Sequence, residues 1–188
     1  MMSRSICLTG MMGSGKSTVG RLVADRLGRR IADTDTELCR WTGVQVSDLF
    51  AQHGESGFRE LERTVVVELA RHDDLVIALG GGTLLDDVNV DALRTSGVVV
   101  LLDVPVEVLA ERLAPGAETR PLLADATPDE RQDRLRSLFE QRRQRYEAAS
   151  VARFDAARPP GDVAEDIVQW AVSCGDVLTP SEHEQVTP

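Results

Sequence analysis

Lysine is almost absent from this sequence. Of its 21 lysine and arginine residues, only Lys16 is a lysine, and all the others are arginines. The Asn-Lys-x-Asp motif with which GTPase switches recognise guanine would need a second lysine, which the chain does not have. This absence excludes a GTPase switch as the function.

Cysteines are few, and a long apolar run is missing at the start of the chain. Cys7, Cys39 and Cys174 lie far apart, are odd in number and lack the spacing of metal ligands, so we expect reduced thiols in a cytoplasmic protein, without disulfides or zinc. Only a few residues precede the first short apolar stretch at Ile6. We therefore expect neither a signal peptide nor a membrane span.

The chain carries an excess of acidic residues. Its formal net charge is −10, which argues against nucleic acid or an anionic membrane as a partner. With 188 residues and 42% hydrophobic content, the sequence predicts one domain over residues 1–175. The remainder, 176–188, is polar and lacks apolar periodicity, so we expect a disordered tail. We expect a monomer.

The sequence Gly-Met-Met-Gly-Ser-Gly-Lys-Ser-Thr at residues 10–18 matches the P-loop pattern without a mismatch. An apolar run at 6–9 predicts the preceding strand, and helical spacing of apolar residues at 19–27 predicts the following helix, which makes a chance glycine-rich turn the weaker interpretation. Backbone N–H groups and the helix N-terminus would bind phosphate, Lys16 would reach the outer phosphates and Ser17 would ligate magnesium. A compact ammonium suits this tight site better than a planar guanidinium does, which explains the single lysine.

Two carboxylates follow the second predicted strand, which covers Arg29 to Ala32. Asp33 and Asp35 would lie at the carboxyl edge of an open α/β sheet, where ligands bind. They are suited to holding a magnesium water or a substrate hydroxyl, but either could equally be the N-cap of the next helix. The sequence alone leaves both interpretations open.

The next segments contain a possible anion site. A helical region from Glu37 to His53, interrupted by Gly43 and bounded by Gly54, is predicted as a substrate-side insertion. The following helix places Arg59 and Glu62 three residues apart. Spacing alone favours a surface ion pair, and the alternative is that the glutamate holds the arginine for bidentate anion binding.

A third strand, Leu75 to Leu79, is followed by the three glycines 80–82. Three residues without side chains favour close approach of a ligand to the backbone over a merely flexible turn. The fourth strand, Val98 to Leu102, leads to Asp103, a rival of Asp33 as the magnesium aspartate.

Two arginines remain in the later segments. The loop at 114–126 contains Arg120 and could close over ATP as a lid, although an isolated arginine more often faces solvent. The long helix from Pro128 to about Ala149 places Arg142 on the same stripe as Leu138 and Tyr146. A guanidinium on an apolar stripe needs an anion, either a structural carboxylate or one on the substrate.

Together these motifs resemble the shikimate kinases, a branch of the nucleoside-monophosphate-kinase-like P-loop proteins, over roughly Ile6 to Val172. The resemblance rests on the P-loop with Asp33-Thr34-Asp35, Phe58-Arg59-x-x-Glu62, Gly80-Gly81-Gly82, Arg120-Pro121-Leu122-Leu123 and Arg142-x-x-x-Tyr146. It implies a three-layer α/β P-loop NTPase fold, with a five-stranded parallel sheet flanked by helices. It also implies a substrate-binding helical insertion at about 34–62 and a lid at about 114–126.

The resemblance further implies ATP-dependent phosphorylation of the 3-hydroxyl of shikimate in chorismate biosynthesis, with Mg²⁺ as cofactor. The implied catalytic residues are Lys16, Asp35 and Arg120. The implied ATP-binding residues are Gly13, Ser14, Gly15, Lys16, Ser17, Thr18, Arg112, Arg120 and Arg158. The implied substrate-binding residues are Asp35, Arg59, Gly80, Gly81, Gly82 and Arg142, with Glu62 supporting Arg59. Ser17 would bind the metal directly and Asp33 through water. The resemblance therefore favours Asp33 over Asp103 as the magnesium aspartate.

Two alternatives remain at this point. A kinase for another polyol or cyclitol without a carboxylate would leave Arg59 and Arg142 without their anion. A non-catalytic nucleotide-binding module is opposed by the intact Lys16, Ser17 and Arg120. Pro159 and Pro160 in the expected adenine loop depart from the family pattern.

Overall fold

The protein is described by a computed structural model covering residues 3–115 and 127–186. Five parallel strands in these segments form one sheet in the order β2-β3-β1-β4-β5. They are β1 Ser5–Thr9, β2 Arg30–Asp33, β3 Leu75–Ala78, β4 Gly97–Asp103 and β5 Ala152–Asp155. The predicted five-stranded parallel sheet is therefore confirmed.

Helices connect the strands and pack against the sheet and one another. They are α1 Lys16–Leu27, α2 Thr34–Thr42, α3 Val46–Leu69, α4 Asp87–Ser96, α5 Val106–Leu113, α6 Pro128–Ala149, α7 Pro160–Ser173 and α8 Pro180–Val186, with a short 3₁₀ turn at Thr83–Leu85. Most of the lid predicted at 114–126, including Arg120, lies outside the described residues. Among the described helices, none has the length and apolar character needed to cross a bilayer.

The apolar runs of the sequence form the three interior strands. β1, β3 and β4 are buried along their whole length except at Asp103, as expected for parallel strands covered on both faces. The edge strands β2 and β5 are only partly buried. Parallel pairing brings the carboxyl ends of all five strands to one edge, which is where β1 leads into the P-loop and β3 into the three glycines.

The helical insertion predicted at about 34–62 falls on α2 and the first part of α3. α2 ends at Gly43 in the left-handed conformation, and α3 changes direction at Gly54, whose φ of 65° and ψ of −175° lie outside the helical region. The rings of Phe50 and Phe58 stack across this break with their centroids 4.1 Å apart. The break therefore turns two aromatic side chains toward each other beside the sheet edge.

The C-terminal segment differs from the disordered tail that its composition predicted. Val177 and Leu178 are buried, and α8 lies beyond them. The buried Arg29 side chain donates to the backbone carbonyl of Val177 and to the carboxylate of Glu182, with an Nε to Oε1 distance of 2.7 Å. The expectation was wrong because contacts that are distant in sequence, made by Arg29, Arg4 and the hydrophobic core, hold this mostly polar segment.

We predict that Glu182→Ala lowers the free energy of unfolding by about 2 kcal/mol, because a buried guanidinium loses its carboxylate. Glu184→Ala, which removes an exposed carboxylate of the same helix, should change it by less than about 0.5 kcal/mol. Urea unfolding of both variants measures the difference. Equal losses in the two variants would show that the Arg29–Glu182 contact does not stabilise the fold.

Candidate active site

The P-loop is shaped by glycines in conformations that other residues avoid. Gly10, Gly13 and Gly15 have φ values of 142°, 80° and 91°. A Cβ on Gly10 would also lie 2.5 Å from the carbonyl oxygen of Leu102. The loop therefore sits directly on β4, and α1 begins immediately after it at Lys16.

Lys16 lies at the mouth of this loop. Its ammonium group donates to the carbonyl oxygens of Gly10 and Met11, both at 2.9 Å. A pocket of about 370 Å³ opens at this point, and its lining includes Lys16, Ser17 and Thr18. The backbone of the loop and the lysine thus face a cavity in which phosphate groups could bind.

Asp33 is the N-cap of α2 and also contacts the P-loop, whereas its role toward a metal stays a prediction. One carboxylate oxygen caps α2 by accepting from the backbone N–H groups of Asp35 and Thr36 at 3.1 Å. The other oxygen accepts from the Ser17 hydroxyl at 2.6 Å. The helix cap therefore holds this carboxylate beside the P-loop serine.

The Ser17 and Asp33 pair fits a magnesium ion. Mg²⁺ prefers oxygen ligands and is usually held by one or two carboxylates, with water and substrate phosphates completing its shell. Within the two described segments, no group of three or more His, Cys, Asp or Glu side chains could hold a metal. An ion at this place would therefore take most of its ligands from water and phosphate, which is the usual arrangement for Mg²⁺ in kinases.

A second pocket of about 500 Å³ adjoins the first. Its lining includes Arg59, Glu62, Arg142 and the glycines 80–82, with Phe50 and Phe58 as apolar walls. Four residues line both pockets: Met12, Asp35, Gly80 and Gly81. The two cavities consequently meet at the carboxylate of Asp35 and the first part of the glycine turn.

The Arg59–Glu62 pair is largely buried, so the surface ion pair that spacing alone favoured is wrong. Glu62 is 2% exposed and its Oε2 accepts from Nη1 of Arg59 at 2.6 Å. Glu62 Oε1 accepts from the Thr83 hydroxyl at 2.7 Å. Arg59 also lies over the Phe58 ring, with its Cζ 5.3 Å from the centroid. The guanidinium is thus held against the wall of the second pocket.

Arg142 reaches the same pocket from α6. It is 5% exposed, and its Nη1 donates to the carbonyl oxygen of Gly81 at 3.1 Å. The Tyr146 hydroxyl donates to the same carbonyl oxygen. Over the part of the chain that the structure describes, no carboxylate lies within ion-pairing distance of Arg142. Of the two anions left open by the sequence, the structural carboxylate is therefore not observed.

Two glycines of the turn, Gly80 and Gly82, make room for charged side chains. A Cβ on Gly80 would lie 2.8 Å from Oε1 of Glu62, and one on Gly82 would lie 2.2 Å from Nη2 of Arg59. A Cβ on Gly81 would lie 3.4 Å from Nη1 of Arg142. Ligand approach to this turn stays a prediction, whereas the structure shows that Gly80 and Gly82 leave space for charged side chains of the pocket lining.

The pKa of Asp35 is raised from its usual value to about 6. Desolvation by the surrounding cleft is the largest cause, although the side chain itself remains open to the pockets, and the negative charges of Asp33 and Glu62 add to it. Lys16 and Arg59 act in the opposite direction. Asp35 is therefore a carboxylate that changes charge close to neutral pH at the junction of the two pockets.

Other predicted site residues lie farther from this junction. Arg112 lines the P-loop pocket and donates to the carbonyl oxygens of Ala156 and Ala157 at 2.9 and 3.0 Å. Arg158 lines neither pocket and instead pairs with Asp166 on α7 at 2.6 Å. Asp103 is bound by Arg153 of β5 and lines neither of these two pockets, in agreement with its demotion. Arg158 as an ATP contact stays a prediction without geometric support.

The sequence reasoning missed two residues at the junction. Met12 lines both pockets, but its place in the variable part of the P-loop pattern does not indicate this. Thr34 is buried and its hydroxyl oxygen accepts from the N–H of Gly80 at 2.8 Å, which ties the start of α2 to the glycine turn. Its position between the two aspartates was the only available signal.

We predict that the Asp35 carboxyl titrates with a midpoint near pH 6 and that Asp33→Asn lowers this midpoint. Removing a neighbouring negative charge stabilises the ionised form of Asp35, so the carboxyl deprotonates at a lower pH. Carboxyl ¹³C NMR measures both midpoints, with Asp91→Asn on the exposed face of α4 as the control that should cause no change. A midpoint near about 4, the usual value for aspartate, would contradict the electrostatics described above.

Comparisons with known proteins agree with this geometry. The family model described as shikimate kinase matches residues 12–172. A shikimate kinase of Salinibacter ruber is 43% identical over 169 residues, covering 87% of this chain and 82% of the relative. One of Symbiobacterium thermophilum is 44% identical over 167 residues, covering 88% and 94%.

Solved structures give the same result. Shikimate kinase from Acinetobacter baumannii in complex with shikimate superposes with a TM-score of 0.86 at 36% identity, covering 92% of this chain and 94% of that one. A gluconokinase from Sinorhizobium meliloti, with a TM-score of 0.55 and 22% identity over 88% of this chain and 89% of its own, shares the fold alone. With a family model that spans most of the sequence and relatives above 40% identity, the chain belongs to the shikimate kinase family.

Proposed function

We propose that the protein transfers the γ-phosphoryl group of ATP to the 3-hydroxyl of shikimate. The observation that carries this proposal is the junction at Asp35, where a P-loop pocket and a pocket lined by two arginines meet. Such a junction allows a phosphate donor and an acceptor hydroxyl to be held next to each other while each is bound by its own set of groups. Membership of the shikimate kinase family supports the choice of both substrates.

The acid end of shikimate is assigned to Arg59 and Arg142. Both guanidiniums line the second pocket, and Arg142 has no carboxylate partner among the described residues. A buried guanidinium is costly without an anion, so a substrate carboxylate would complete the charge balance that the protein leaves open. Arg59 is kept in place by Glu62 and can still direct the rest of its fork toward the pocket.

Asp35 is assigned to the acceptor hydroxyl. It lines both pockets and is ionised in most molecules at pH 7 and above, since its pKa is about 6. The carboxylate can then accept a hydrogen bond from the 3-hydroxyl and orient its oxygen toward the nucleotide. Below pH 6 the protonated form loses this capacity, and phosphoryl transfer should slow as the pH falls.

The nucleotide end is assigned to the P-loop. Lys16 would contact the outer phosphates of ATP. Ser17 and Asp33 would hold Mg²⁺, whose positive charge offsets the negative charge of the phosphates. Arg112 would lie along the adenine. Arg120, which lies outside the described residues, would stabilise the negative charge on the transferring phosphoryl group. Phosphoryl transfer depends mainly on positioning and on charge stabilisation, so these groups matter more than a strong base does.

Cytoplasmic location and a monomeric state stay predictions of the sequence. The scarce, scattered cysteines support the first. Size-exclusion chromatography with light scattering would decide the second.

The proposal is tested by measuring ADP release with a panel of acceptors: shikimate, quinate, gluconate and nucleoside monophosphates. We expect turnover with shikimate and none with the nucleoside monophosphates, because the relatives of this chain are shikimate kinases. Turnover with a nucleoside monophosphate and none with shikimate would overturn the proposal. A cyclitol without a carboxylate, added to the panel, should not be turned over, because it would leave both arginines without their assigned anion.

Variants at the two ends of the site should separate acid binding from phosphoryl transfer. Arg142→Ala should raise the KM for shikimate by about 10- to 100-fold, because a charge-assisted contact is lost, and leave the KM for ATP unchanged. Lys16→Ala should mainly abolish kcat, since the lysine stabilises charge on the transferring phosphates.

Arg143→Ala is the matched control for Arg142. It removes a neighbouring arginine of α6 whose guanidinium pairs with Glu147 on the surface, so the steady-state constants should not change. If Arg142→Ala changed the KM for ATP as much as that for shikimate, or resembled Arg143→Ala, the assignment of the acid pocket would be wrong.

A further inference from the structure

The Glu62 carboxylate has one hydrogen-bond donor on each oxygen. Oε2 accepts from Arg59 at 2.6 Å, and Oε1 accepts from the Thr83 hydroxyl at 2.7 Å. Both Glu62 and Thr83 are buried, at 2% and 0% exposure. Without the threonine hydroxyl, Oε1 would lose the side-chain donor that fixes the carboxylate plane, and water has little access to replace it.

Thr83 is itself held from two directions. Its backbone N–H donates to the carbonyl oxygen of Gly80 at 3.2 Å, and its own carbonyl oxygen accepts from Nδ2 of Asn89 at 3.0 Å. Asn89 is fully buried in the first turns of α4. The Thr83 backbone is therefore bound to the glycine turn on one side and to α4 on the other, which fixes the position from which its hydroxyl reaches Glu62.

From this geometry we infer that Thr83 is a positioning residue of the acid pocket: its hydroxyl sets the orientation of Glu62, and Glu62 in turn sets the direction of the Arg59 fork. The role deepens the proposed function and rests on it for the identity of the acid. Thr83 lines neither pocket, so it acts through the other two residues and does not touch the substrate.

The space around Arg59 explains why its direction depends on this chain of contacts. Its Nη2 lies so near Gly82 that a Cβ there would be 2.2 Å away. The second carboxylate near Arg59 is Glu55, which is 71% exposed and 3.6 Å away. If Glu62 rotates, the guanidinium can follow it or turn toward Glu55, and in either case it leaves the orientation in which it faces the pocket.

The effect should be confined to the acid side of the site. Neither Glu62 nor Arg59 lines the P-loop pocket, and Lys16 and Ser17 are held by contacts that do not involve Thr83. A general loss of protein stability would weaken the binding of both substrates to a similar extent. A change in the KM for shikimate without a change in the KM for ATP would therefore indicate a positioning role.

The first experiment needs no substrate. NMR of the Arg59 guanidinium protons in the full-length, unliganded protein reports whether the group is held by Glu62. We expect separate η-proton signals in the unmodified protein and in Thr83→Ser, which keeps the hydroxyl. In Thr83→Val, which keeps the side-chain shape but has no hydroxyl, we expect merged or broadened signals. Unchanged signals in Thr83→Val would overturn the inference.

The second experiment measures steady-state kinetics. Thr83→Val should raise the KM for shikimate by about tenfold and leave the KM for ATP unchanged, whereas Thr83→Ser should stay close to the unmodified protein. Thr95→Val is the matched control, because Thr95 is an exposed residue of α4 whose hydroxyl bonds only to the Asp91 carbonyl oxygen. Equal effects on both substrates, or no effect on either, would contradict a positioning role.

A double-variant cycle separates action through Arg59 from independent action. In an Arg59→Ala background, assayed at raised acid concentration, Thr83→Val should cause no further increase in the KM for shikimate. The same increase in both backgrounds would show that Thr83 acts by another route. If the unmodified protein does not phosphorylate shikimate, the proposed function fails, and the NMR experiment still decides whether Thr83 orients Arg59.

Discussion

The site depends on the absence of side chains at the end of β3. Because Gly80 and Gly82 have no Cβ, the charged groups of Glu62 and Arg59 can approach the turn more closely than any other residue type would allow. The cost is the chain entropy of three glycines, which the backbone contacts to Thr34 and Arg142 help to offset. The result is a pocket with two guanidiniums, of which Arg59 is paired with Glu62 and Arg142 has no carboxylate partner among the described residues.

Sheet topology brings this pocket beside the nucleotide site. β1 and β3 are neighbours in the sheet, so the P-loop that follows one and the glycine turn that follows the other emerge at the same edge. β2 lies next to β3 and ends at Asp33, which caps α2 and places Asp35 in the helix's first turn. Three adjacent strand ends therefore bring the P-loop, the two aspartates and the glycine turn to one edge of the sheet.

Much of this arrangement could be predicted from the sequence because it depends on local patterns. The P-loop, the five strands and the glycine turn are each defined by a few consecutive residues. The sequence did not decide whether Asp33 or Asp35 caps α2, and the structure shows that Asp33 does. The burial of Glu62 could not be predicted, since an Arg and a Glu three residues apart look the same on a surface helix. Its second donor, Thr83, lies 21 residues away. The structure of residues 176–186 was missed for the same reason: Arg29 and Glu182 are 153 positions apart, and no local pattern connects them.

The central claim is that an acid held by two arginines faces a nucleotide held by the P-loop, with Asp35 between them. A crystal structure of the protein with shikimate and a non-hydrolysable ATP analogue tests this claim most directly. The account predicts the shikimate carboxylate between Arg59 and Arg142, and the 3-hydroxyl beside Asp35 pointing at the γ-phosphate. A carboxylate bound against the P-loop, or a 3-hydroxyl pointing away from the nucleotide, would contradict it.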